Sequence, residues 1–155
     1  MPDDLYALYQ KKSEAIAEAI KNSKNEWAGT YLAGTHHPTV LRLEPNAGFI
    51  VSASHHTFAP SWINYGRVEI SDSVLRIYPE LEKENSSAHM IGPEFRLIRW
   101  GRQRFLLTPK QFQPFAYAVH AGDEYQIAQY FTRTSDDDNS RRGHPNLPAE
   151  FATLG

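Results

Sequence analysis

Residues 39–54 read TVLRLEPNAGFIVSAS, two apolar runs around a turn. In Thr39–Glu44, Leu41 and Leu43 alternate with Arg42 and Glu44, the period of a half-buried strand. Pro45-Asn46-Ala47-Gly48 has turn chemistry, and Phe49–Ser54 forms the returning strand. If Leu43 faces Phe49, then Leu41 faces Val51 and Thr39 faces Ala53. Directly opposed residues share a face, so Leu41, Leu43, Phe49 and Val51 make one apolar surface. A slip of one residue destroys that agreement. The stretch therefore predicts an antiparallel hairpin with one side in a core.

A histidine doublet stands on each side of this hairpin, His36-His37 before it and His55-His56 after it. The same register sets His37 across from His55, on the apolar face, and His36 across from His56 on the other. His37 and His55 are thus the pair that can meet at an open end of the sheet. They are candidate metal ligands, zinc among them, but such a site needs at least one more ligand. His89, His120 and His144 are the remaining histidines, and no spacing selects one; HExxH is absent. The alternatives are contacts to a bound small molecule, or plain polar residues at strand ends.

Beyond the doublets the same rhythm of short runs and turns continues. Candidate strands are Trp27–Ala33, Ile63–Ile70, Val74–Tyr78, Phe95–Trp100, Arg104–Thr108 and Ile127–Thr132. Ser71-Asp72-Ser73 and Gly101 supply tight turns, and connections this short favour a meander. About eight strands suffice to close a small barrel, which removes exposed sheet edges. Before them, Leu5, Leu8, Tyr9, Ile16, Ala19 and Ile20 recur at helical spacing behind Asp3 and Asp4, predicting a helix over about 4–21. A short helix precedes the last strand: Thr108-Pro109-Lys110-Gln111 is a capping sequence, and Gly122 a stop. Pro114 conflicts with its interior, so a 3₁₀ turn leading into a helix from Pro114 is expected. Asp136-Asp137-Asp138 reads as a solvated loop, because a calcium loop needs glycine where Arg141 stands. The remainder of 134–155 reads as an extended tail laid on the barrel.

The chain has 155 residues, a length suited to one domain. A formal net charge of −2 offers no electrostatic case for nucleic acid. No apolar run is long enough to span a bilayer, which points to a soluble protein. The start, Met-Pro-Asp-Asp, lacks the pattern of a signal peptide, so the expected compartment is the cytoplasm, or the periplasm or exterior if a leader was removed. With no cysteine, disulfides and thiolate chemistry are excluded. No P-loop, GxGxxG or G-x-S-x-G occurs, so enzymatic activity is not the expectation.

Trp27-Ala-Gly-Thr-Tyr31, opening the first strand after a helix, resembles the start of lipocalin-like barrels, where a Trp closes one end. Here Gly29 follows the Trp, whereas the lipocalin Gly precedes it. Together with Leu41-Arg-Leu43, Gly48-Phe49, Asn64-Tyr-Gly-Arg-Val68, Trp100-Gly-Arg-Gln-Arg-Phe-Leu106 and Pro145-Asn-Leu-Pro148, it also resembles an uncharacterised family of small bacterial proteins. That family tends to carry a Cys-containing turn near Ser54-His55-His56, which this chain lacks. The resemblances imply a lipocalin-like (calycin-like) barrel and no particular reaction.

Arg96 and Arg99 fall on opposite faces of one strand. An arginine that enters the barrel needs a carboxylate, with Glu69 or Glu94 at hand, or an anionic ligand. The expected protein is mainly β, an N-terminal helix plus an antiparallel barrel, holding a small, partly apolar molecule. The cavity should reach about 300 Å³, the low end for ligand pockets. Trp27, Tyr31, His37, Phe49, His55, Tyr65, Arg96 and Trp100 are its candidate lining. A histidine-held metal site or metal enzyme, and a structural or partner-binding module with a filled barrel, are the competing expectations.

Overall fold

The computed structural model describes residues 3–53, 62–81 and 93–152. Helix α1 (Asp3–Asn22) leads into eight strands. These are β1 (Gly29–Ala33), β2 (Thr39–Glu44), β3 (Gly48–Ala53), β4 (Trp62–Ser71), β5 (Val74–Pro79), β6 (Glu94–Trp100), β7 (Gln103–Leu107) and β8 (Phe131–Arg133). Each pairs antiparallel with the next, and β8 returns to β1, so the sheet is a closed barrel. The hairpin has the expected register, Leu41 against Val51 and Leu43 against Phe49.

Inward residues of successive strands form one cluster around Tyr31, Leu41, Leu43, Phe49, Leu75, Phe95 and Leu106, all buried. The outer face is covered in two places. Helix α1 lies over β2 and β3. There Ile16 and Ile50 are buried, Tyr9 hydroxyl meets Ser52 Oγ at 3.1 Å, and Arg42 donates to Ser13 Oγ at 3.0 Å. Strand β3 is therefore buried on both faces. Helix α2 (Phe112–Ala121) provides the second cover, setting Phe112, Phe115 and Ala116 on Ile98, Phe105 and Leu107.

Glu44 ties the hairpin turn to the end of α1. Its carboxylate is buried, accepts from Asn46 N at 2.7 Å and Ala47 N at 2.9 Å, and receives Ser23 Oγ at 3.0 Å. Three bonds satisfy a charge that would otherwise be costly to bury.

The last strand corrects an expectation. Ile127 belongs to a helical turn, α3 (Glu124–Ile127), capped by Asp123 Oδ1 accepting from Gln126 N. The strand itself is only Phe131–Arg133. Pro114 is accommodated differently from expectation too. A 3₁₀ turn does occur, at Pro109–Gln111, but α2 begins at Phe112. Pro114 is then its third residue, within the first turn, where a backbone N–H has no helical partner to lose. Thr108 N donates to Gln111 Oε1 at 2.9 Å, and Gly122 ends the helix at φ 67°. The tail lies on the barrel but is not wholly extended as expected, since Asp138–Ser140 form a 3₁₀ turn and Ala149–Ala152 a helical one. Asn146 N donates to Arg99 O, its side-chain oxygen accepts from Arg99 N, and α4 (Ala149–Ala152) sets Phe151 against Phe112.

Candidate functional site

An up-and-down barrel has two ends. The β2–β3, β4–β5 and β6–β7 turns lie at one, which also holds the entry to β1. The β1–β2 connection and the far ends of the remaining strands lie at the other.

At the first end the alternation turns Arg99, Arg104 and Arg133 inward, in line with Leu97, Leu106 and Phe131. Trp27 lies beneath them, with the Arg99 and Arg104 guanidiniums 5.4 and 5.6 Å from its ring, within cation–π range. Asp136 anchors the group, its side chain only 4% exposed. It accepts from Arg133 Nε at 2.8 Å and Nη2 at 2.6 Å, and from Arg104 backbone N at 2.7 Å. Glu26 pairs with Arg99 and reaches Arg104 at 3.9 Å. Arg133 also donates to the carbonyls of Glu26 and Ala28. Gly29 makes room for it, since a Cβ there would stand 2.7 Å from Arg133 Cδ. Tyr31 hydroxyl donates to Trp27 O at 2.8 Å, and burial pushes its phenol well above the usual tyrosine range. Carboxylates and guanidiniums are joined here into a plug.

Asp136 was expected in a solvated loop, and the structure reverses that. Asp137 and Arg141 are also fixed. Asp137 Oδ1 accepts from Asn139 N, and Arg141 lies over the Trp100 ring at 4.5 Å while bonding Gln103 and Glu124.

At the other end, the inward positions of β1, β2 and β3 are Ala33, Thr39 and Ala53. His36 and His37 are exposed on the β1–β2 connection at this rim. His55 and His56 lie outside the described residues, as does His89. Among the described residues, no three His, Asp or Glu side chains come together as metal ligands.

The seven candidate lining residues that are described do not share one cavity. Trp27, Tyr31 and Phe49 face inward and are buried in the core. Tyr65, Arg96 and Trp100 face outward, by register with Ile50, Leu107 and Gln103. Tyr65 lies under Lys12, whose Nζ is 4.3 Å from the ring. Trp100 Nε1 donates to Gly143 O at 3.0 Å. The arginine that enters the barrel is Arg99, not Arg96, and its carboxylate is Glu26. Glu69 instead binds Arg67 and Tyr78 hydroxyl, which hold its carboxyl below the usual range, and Glu94 faces Arg76.

Three clefts among the described residues lie outside the barrel. One of about 400 Å³ runs between β1, β8 and α3, edged by the Arg141–Glu124 pair. One of about 280 Å³ separates α1 from β3 and β4. One of about 370 Å³ lies beside β6, between Arg96 and the tail. No helix among the described residues is long and apolar enough to cross a membrane. Comparison with protein-family models, curated proteins and solved structures gave no significant match to this chain.

Proposed function

We propose that the protein binds a small, partly apolar molecule at the mouth framed by Ala33, Thr39 and Ala53, and that it is not an enzyme. The observation that carries this is the run of small inward residues on three adjacent strands at one end of the barrel. The Trp27 end is packed with large and charged side chains, whereas at the other end the inward positions of β1, β2 and β3 are small, with Phe95 and Phe131 on β6 and β8 as apolar wall beyond them. A closed barrel of eight strands is just wide enough to be filled by side chains or to hold one small ligand. Small inward residues at one end leave the second use open there. The resemblance to lipocalin-like barrels agrees with this reading, and so does the exposed His37, a polar group at the rim able to orient a ligand.

The test uses 1-aminoanthracene, a small uncharged fluorophore. Saturable, blue-shifted emission at one site per chain is expected, lost in Ala33→Phe and in Ala53→Phe while both variants keep cooperative melting. Absence of saturable binding, or binding untouched by both substitutions, refutes the proposal. Saturable zinc binding that disappears in His37→Ala, without fluorophore binding, would make the rim a metal site instead.

A further inference from the structure

The described arginines are almost all engaged. Arg67, Arg76, Arg99, Arg102, Arg104, Arg133 and Arg141 have carboxylate partners. Arg42 donates to Ser13, and Arg142 to backbone carbonyls. Arg96 is the exception among the described residues, exposed and with no hydrogen bond or ion pair. The nearest acid on its own strand face, Glu94, is turned to Arg76 at 3.5 Å.

What lies beside Arg96 is apolar. The 370 Å³ cleft is lined by Ile98, Phe112, Leu147 and Pro148, with Ser73 at its edge. Its walls are well supported. Ile98, Phe112 and Leu147 belong to the buried cluster under α2, and Asn146 is bonded on both sides to the Arg99 backbone. Ser73 contributes its carbonyl to Leu97 N, and its hydroxyl makes no bond. A free guanidinium and a free hydroxyl thus border a preformed apolar hollow.

We infer that this cleft binds an amphiphilic carboxylate, a medium-chain fatty acid or an aryl acid, with Arg96 holding the carboxylate and Ile98, Phe112 and Leu147 the hydrocarbon. The planar guanidinium fork matches a carboxylate in a bidentate pair. A single unpaired cation suits a single negative charge, and a phosphate dianion would call for more. The volume lies near the lower end for small-molecule pockets, which suits a free acid better than a peptide end. This site is separate from the barrel mouth and does not depend on it.

Calorimetric titration of the full chain tests it with three probes: octanoate, octanol and acetate. Octanoate is expected to bind at one site, with octanol and acetate much weaker, since each lacks half of the recognition. Arg96→Gln should weaken octanoate about tenfold or more, the worth of a charge-assisted hydrogen bond. Arg96→Lys should weaken it less. Arg96 is exposed and unbonded, so both variants should melt as the parent does. Octanoate binding unchanged in Arg96→Gln, or matched by octanol or acetate, overturns the inference, as does no saturable binding. Octanoate binding lost in Ala33→Phe but kept in Arg96→Gln also overturns it, by placing the acid in the mouth.

Discussion

At its Trp27 end the barrel is closed by Arg99, Arg104, Arg133, Asp136 and an indole; at its histidine end the same sheet presents Ala33, Thr39 and Ala53. One strand shows both characters: β1 has Gly29 under Arg133 at one end and Ala33 at the other. The first end gains rigidity from carboxylates and guanidiniums paired in a partly dry setting. The second leaves little side chain inside along β1, β2 and β3. Rigidity and room are separated along the barrel axis, so a change at one end should leave the other nearly untouched.

The largest effect is expected at Asp136. Asp136→Ala leaves Arg133 without a carboxylate and Arg104 with only the more distant Glu26, and should cost about 3 kcal/mol in urea unfolding. A loss below about 1 kcal/mol would mean that the plug is held by packing alone. Next comes Gly29→Ala. Arg133 is pinned by Asp136 and two carbonyls, so the added methyl meets a side chain that cannot yield, at a cost of about 1–2 kcal/mol. Tyr31→Phe should cost about 1 kcal/mol at neutral pH, the worth of its bond to Trp27 O.

Tyr31 also gives a pH dependence. Its folded value lies above the unfolded value of 10.0, so the folded state keeps a proton that the unfolded chain releases. The contribution is complete below pH 10.0 and drains away as pH rises from there through the higher folded value. Alkaline unfolding should be steeper in the parent than in Tyr31→Phe. Smallest is Thr39→Leu at the mouth, expected to alter stability by about 0.5 kcal/mol or less. A loss comparable to that of Asp136→Ala would dissolve the distinction between the two ends.

The hairpin 39–54 was legible because turn residues and apolar alternation agree there, and a slip would have turned every leucine over. The N-terminal helix and the capping sequence at Thr108 were legible for the same reason, local signals that tertiary packing reinforces. Strand β6 was harder. Phe95 and Leu97 face inward while Ile98 lies under α2, so both faces are apolar and parity alone does not say which arginine enters. Asp136 was illegible because a run of aspartates looks solvated. Its partners, Arg104 and Arg133, become neighbours only when β7 and β8 pair. The turn at Glu124–Ile127 had its capping residue in plain view at Asp123, but four residues are too few for a helical period. The Arg96 cleft needs the tail folded back on β6, a contact that no local pattern announces.

The closing strand has a consequence for how the molecule assembles. Seven strands follow one another through links that join neighbours, and each pairing closes a modest loop. The eighth is three residues long, and its pairing of Tyr31 with Arg133 joins the first strand to the last. Loop-closure entropy is largest for that contact, and only a short ladder offsets it. Ring closure is then the late event of folding, and the β8 seam is the place where native-state amide exchange should open first. Asp136, clasping Arg133 from beyond the strand and Arg104 from across the seam, acts as the buckle of a belt.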